Sequence, residues 1–286
     1  MRGHRATVVR ALAALLTVPF LAGCYITAAP DDTQGLPKGT PDVVTVRTPD
    51  QPRVGSCHQS TYAVFEAKTA VTTEVDCSSP HTTQTVYVGE YPEPLSAAAK
   101  RFNSVPIVKY AVPRCFEEAA AFLGGTRAQL ASSLFSPTIY FADADRFARG
   151  EHWFRCDVAL AQFGPKTLLP LPASAAGTLA QGGVPDEYVG CLAAGYDKPS
   201  AEPPTVACSV SHAAVPTGTL TSGGPATAFP SDRALQTRAA RDCDSQVRAW
   251  AGRTNSTPKG YAWRAPSKAM WDILRERTTV CYAITS

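Results

Sequence analysis

Two short stretches could do chemistry: "CSSPH" at residues 77–81 and "CSVSH" at 208–212. Each sets a histidine four residues after a cysteine, so Cys77/His81 and Cys208/His212 could each give zinc one thiolate and one imidazole of its usual four ligands. The same histidines stand beside Ser78, Ser79, Ser209 and Ser211, where an imidazole base could activate a hydroxyl nucleophile. Neither chemistry gains support elsewhere in the chain. Cys57, Cys115 and Cys156 have no C-x2-C neighbour, and G-x-S-x-G, H-E-x-x-H and G-x-x-x-x-G-K-[ST] are all missing. Asp143, Asp145, Glu151 and Asp157 cluster around Cys156 without a calcium-loop spacing and read as a solvated turn. The expectation is no metal, no cofactor and no catalytic machinery, with His81 hydrogen-bonded to backbone at a strand entry and Pro80 fixing the turn.

The other cysteines explain the two stretches better. Of the nine, Cys24 ends a segment with Arg2, Arg5 and Arg10 in front and an apolar run from Ala11 to Phe20, the layout of a secretory signal. Leu21-Ala22-Gly23-Cys24 resembles the bacterial lipobox, so 1–23 reads as a lipoprotein signal peptide and Cys24 as the lipidated residue, with two or more acyl chains giving stable anchorage. The eight cysteines left, an even number in an exported chain, argue for disulfides.

These eight repeat. Cys57, Cys77, Cys115 and Cys156 correspond to Cys191, Cys208, Cys243 and Cys281, at separations of 134, 131, 128 and 125 residues. Within each set three pairings are possible. The favoured one joins first to second and third to fourth: Cys57–Cys77, Cys115–Cys156, Cys191–Cys208 and Cys243–Cys281. The third cysteine of each set belongs to a helical segment, since apolar residues follow at i+4 and i+7: Ala119 and Phe122, then Val247 and Trp250. Gly124 and Gly252, nine residues on, are the expected helix stops. Strands are expected over 69–75, 83–91, 152–160 and 278–285.

The plan is therefore α+β: two tandem homologous small domains, 53–162 and 188–286, each a few antiparallel strands plus one main helix, stapled by disulfides. A Pro-, Thr- and Asp-rich tether fills 24–52 and a linker 163–187, of which Leu168, Leu169 and Leu171 are placed to dock. The whole chain has 27 Lys+Arg against 24 Asp+Glu. Removing 1–23 takes away three arginines and no acid, leaving 24 against 24, so nothing suggests a nucleic-acid footprint. Of the tryptophans, Trp153, Trp250, Trp263 and Trp271, the helical Trp250 is the clearest core candidate, while Tyr261 and Trp263 could form an aromatic binding patch.

Gly55, Cys57, Cys77, Pro80, His81, Cys115, Trp153 and Cys156 together form a pattern that resembles the septum-formation domain family of actinobacterial exported proteins. It occurs as two tandem copies, the second divergent: Ser211 replaces the proline and one residue is missing between Gly190 and Cys191. The resemblance implies a role near the division septum. The reading is thus a non-catalytic binding or scaffolding lipoprotein on the extracytoplasmic face of the membrane. Its partners would be the membrane itself, through the lipid, and an envelope or division protein or cell-wall glycan. The alternative is an envelope hydrolase or metal-binding enzyme acting on peptidoglycan or glycan through His81 and His212.

Overall fold

The computed structural model describes residues 52–67, 72–98, 101–180, 184–193, 203–224 and 226–286. The expected signal peptide, Cys24 and the expected tether as far as residue 51 lie outside the described residues. In chain order the first half contains β1 (Cys57–Gln59), α1 (Tyr62–Ala67), β2 (Thr73–Val75), β3 (Thr83–Glu90), α2 (Glu93–Ala98), α3 (Val105–Phe122), α4 (Arg127–Ser132), β4 (Phe135–Phe141), α5 (Ala144–Ala148), β5 (Trp153–Gln162) and β6 (Thr167–Leu169). The second contains β7 (Gly190–Ala193), β8 (Thr205–Ala207), β9 (His212–Thr221), α6 (Asp232–Thr254), β10 (Gly260–Arg264), α7 (Lys268–Ile273) and β11 (Thr278–Ile284).

The two antiparallel sheets share one topology. The first runs β2-β1-β3-β5-β4, with β6 added beside β5, and the second runs β8-β7-β9-β11-β10. The register agrees in detail. Cys156 faces Tyr87 and Asp157 faces Thr85, skipping Val86; Cys281 faces Gly218 and Tyr282 faces Pro216, skipping Thr217. A β-bulge at one place in both sheets, the kind of feature that re-aims side chains, makes residue-by-residue correspondence possible. Both halves lie in one compact unit, Thr48–Ser286.

Each sheet has a long helix on one face, held by a stripe at i+4 spacing: Ile107, Ala111, Cys115 and Ala119 on α3, and Leu235, Ala239, Cys243 and Val247 on α6, all buried. The cysteine of each stripe bonds to the central strand, Cys115 to Cys156 and Cys243 to Cys281; the others join Cys57 to Cys77 and Cys191 to Cys208. These are the pairings favoured from spacing. Trp250 is only half-buried, because α6 turns it toward the helix flank, and Trp153 and Trp271 supply the buried indoles.

Gly124 does end α3. At φ +74° it closes a Schellman turn in which Gly125 N–H donates to Ala120 O and Gly124 N–H to Ala121 O. Gly252 does not end α6, which runs on to Thr254 and is capped by Asn255 in the left-handed conformation, at φ +52°. The segment after β5 is ordered against the first sheet rather than spanning free between halves. Leu171 N–H donates to His81 O, Leu179 N–H to Leu123 O, and Ala175 and Leu179 are fully buried. A Cβ on Gly124 would sit 3.1 Å from both Gly177 Cα and Ala180 Cβ. Gly124→Ala is therefore expected to lose about 1–2 kcal/mol from the left-handed backbone alone, read as a lowered Tm; an unchanged Tm would count against this packing.

The other face of each sheet is covered differently. Over the first, α1 packs Phe65 on Ala159 and Ala161. Over the second lies α4, from the first half, with Ala131 against Leu192, Ala214, Val280 and Tyr282. Arg127 pairs with Glu276 at 3.1 Å, Arg264 donates to Ala131 O, and Leu134 N–H donates to Tyr188 O, so the halves are joined by ion pair, hydrogen bonds and apolar contact together.

Candidate functional site

The histidine turns serve backbone geometry. His81 Nδ1 lies 2.9 Å from Ser79 O, and His212 Nδ1 lies 2.7 Å from Val210 O, the same i to i−2 hydrogen bond at the same strand entry. His81 is 1 % exposed. Its cysteine neighbour is in a disulfide, as is that of His212, so neither offers a thiolate. Among the described residues no three of His, Cys, Asp and Glu come together as metal ligands. Tyr261 and Trp263 stack with ring centroids 5.9 Å apart. Trp263 is half-buried with its indole N–H on Gln236, leaving Tyr261, 36 % exposed, as the outward ring of the pair.

The group that sequence reasoning missed lies under α1. Alternation along β5 turns Phe154, Cys156 and Val158 to α3 and sends Arg155 and Asp157 to the opposite face. Asp157 is fully buried, not in a solvated turn: only Asp143, Asp145 and Glu151 remain at the α5 turn, with Arg146 and Arg149. Arg155 Nε lies 3.0 Å from Asp157 Oδ1. Thr85 donates to Asp157 Oδ1 at 2.8 Å and Thr83 to Oδ2 at 3.2 Å. His58 Nε2 lies 3.1 Å from Thr85 Oγ1, its Nδ1 3.3 Å from Thr72 Oγ1, and Arg155 Nη2 donates to Thr72 at 2.9 Å. The Arg155 guanidinium also lies over the Tyr140 ring at 4.6 Å.

The proton order follows from the acceptors. Thr85 gives its hydrogen to Asp157, so it must accept from His58, which places the ring proton on Nε2. Thr72 accepts from Arg155 and gives its hydrogen to Nδ1. A ring with one proton and both nitrogens used is neutral. Burial first, then the Arg155 charge and His81, lower the His58 pKa from 6.5 to about 3. Burial pushes the Asp157 carboxyl up, against Arg155 and the two threonine hydroxyls. Ser56 Oγ lies 3.2 Å from His58 Nε2. That nitrogen already carries the proton, so it cannot accept one from Ser56, and the arrangement lacks a general base.

Among the described residues the second sheet has no such group. Through the shared register, Leu192 stands at the His58 position, Ala214 at Thr83, Pro216 at Thr85, Ala262 at Thr138, Val280 at Arg155 and Tyr282 at Asp157. One topology thus accepts an apolar filling or an ionic one. The scaffold does not require the ion pair, and burying it costs desolvation that apolar packing avoids. No local motif marks these residues. The signal in the sequence was the departure between two otherwise matching halves, Arg155 and Asp157 around Cys156 against Val280 and Tyr282 around Cys281.

Comparison with known proteins adds one match: a family model described as septum formation covers residues 54–281 in a single span across both sheets. No curated protein and no solved structure matches. Four disulfides in one chain fit an oxidising, extracytoplasmic compartment. With that span taking in both sheets and all eight bridged cysteines, the chain belongs to the septum formation family, a membership that points to a role in cell division.

Proposed function

We propose that the protein is a lipid-anchored, extracytoplasmic, non-catalytic binding or scaffolding protein that acts in septum formation. The family match over 54–281 carries the reading. Three features support its parts. The lipobox ending at Cys24 supports the anchor, the disulfide framework supports exposure to an oxidising compartment, and the hydrogen bonds that occupy both ring nitrogens of His58 support a non-catalytic role. A rigid, cross-linked double sheet held at the membrane suits a protein that presents surfaces rather than turning over substrate.

A fluorescent fusion is expected to concentrate at division sites, and Cys24→Ala to shift the protein from the membrane to the soluble fraction. Uniform envelope labelling would remove the septal role. Membrane retention of the Cys24→Ala protein would remove the lipid anchor.

A further inference from the structure

A cavity of about 200 Å³ opens between the two halves. Its walls are mostly apolar: Phe116 of α3, Leu130 of α4, Phe135 of β4, Met270 of α7 and Leu274 just after it, with Ser133, Ser136 and Thr278 adding hydroxyls. Two ionisable side chains line it, and they differ. Glu276 is saturated, with Oε2 on Arg127 Nη2 at 3.1 Å and Oε1 accepting from the N–H groups of Arg277 and Thr278. Arg264 has no carboxylate partner among the described residues, and its hydrogen bond goes to the carbonyl of Ala131. With Glu276 neutralised by Arg127, the wall keeps one net positive charge beside an apolar chamber. Phe163 lines the same cavity and is 37 % exposed, a large apolar ring in water.

Size selects the occupant. A free small molecule typically buries itself in about 300–1,000 Å³, more than this cavity holds. A cavity of about 150 Å³ accepts a benzene-sized group, so this one fits a single large apolar side chain. Its lone unpaired cation suits one carboxylate. An apolar side chain and a carboxylate occur together at the C-terminal residue of a polypeptide, whose preceding residues would leave past Phe163.

We propose that this cleft captures the C-terminus of a partner protein ending in a large apolar residue, the side chain entering between α3, α4 and α7 and the terminal carboxylate pairing with Arg264. The proposal rests on the binding reading above and names the partner's recognised chemistry. Arg suits this task because its planar guanidinium can meet a carboxylate through two parallel N–H donors.

The test is titration of the ectodomain with four probes. They are an acetylated pentapeptide ending in phenylalanine with a free carboxylate, its C-terminal amide, the same peptide ending in glycine, and 4-phenylbutyrate. The free-acid phenylalanine peptide is expected to bind at least about tenfold tighter than the amide and the glycine peptide, the factor a charge-assisted hydrogen bond supplies. It should also bind tighter than 4-phenylbutyrate. Arg264→Met should bring the acid down to the amide's affinity and leave the amide unchanged. Equal binding of acid and amide, or no binding, overturns the proposal. Tighter binding of 4-phenylbutyrate also overturns it and makes the cleft a small-molecule site. The acid–amide comparison uses the unaltered protein, so it stands even if Arg264→Met folds poorly. Septal localisation with no peptide binding would overturn only this inference.

Discussion

Asp157→Ala is expected to destabilise the folded chain by about 3–5 kcal/mol, the loss seen when one member of a buried ion pair is removed and the other charge stays behind. Here the residue left is Arg155, 5 % exposed, with Thr83 and Thr85 also losing their acceptor. Against a net stability of about 5–15 kcal/mol that is a large fraction, and urea denaturation followed by circular dichroism would read it. The second sheet supplies the control. Replacing the group together, His58→Leu, Thr83→Ala, Arg155→Val and Asp157→Tyr, copies the apolar set of Leu192, Ala214, Val280 and Tyr282. That variant should be more stable than Asp157→Ala despite four substitutions. A loss below about 1 kcal/mol for Asp157→Ala would mean the charges are solvated on a moving α1, and the buried-pair account would fail.

The same group sets an acid sensitivity. His58 has a folded pKa of about 3 and an ordinary value of 6.5. Below about pH 6.5 the unfolded chain takes up a proton that the folded state refuses, so folding free energy falls by about 1.4 kcal/mol per pH unit from this residue. The loss stops near pH 3, where the folded ring is protonated too. In His58→Leu this contribution is absent while Asp157 is kept, and its stability should decline less across that window.

The second large effect concerns the helix-to-strand disulfides. Removing Cys115–Cys156, which closes a separation of 41 residues, should cost about 4 kcal/mol in the chain-entropy account. The Cys57–Cys77 link, over 20 residues, should cost about 3 kcal/mol. The two kinds also differ in access. Cys115, Cys156, Cys243 and Cys281 are all buried, whereas Cys77 and Cys208 are half-exposed. Mild reduction of the folded protein followed by alkylation and mass spectrometry should therefore label the Cys57–Cys77 and Cys191–Cys208 pairs first, since exchange needs access to a sulfur. First labelling at Cys115 or Cys243 would show that α3 or α6 lifts from its sheet more readily than the turns open.

These predictions differ in how far the sequence alone reaches them. The cysteine frames, the two helices and the main strands were legible because their causes are local: apolar residues at i+4, alternation at i+2, and two sets of four cysteines at nearly constant offset. The favoured pairing needed only that each turn cysteine lie near the strand before it and each helix cysteine near the strand it packs on. Gly252 misled because a glycine marks a stop only where the backbone turns left-handed, and Asn255 makes that turn instead.

Tertiary structure decided the rest. Asp157 looked like one more surface carboxylate because its partners, Thr83 and Thr85, are more than 70 residues away and meet it only through the β3–β5 register. The docking of α4 on the second sheet, and the cleft beside it, depend on how two separately patterned halves fit each other. Spacing within a chain fixes which face of an element is apolar, but only packing across the fold sets which surface covers it and which charge is left without a partner.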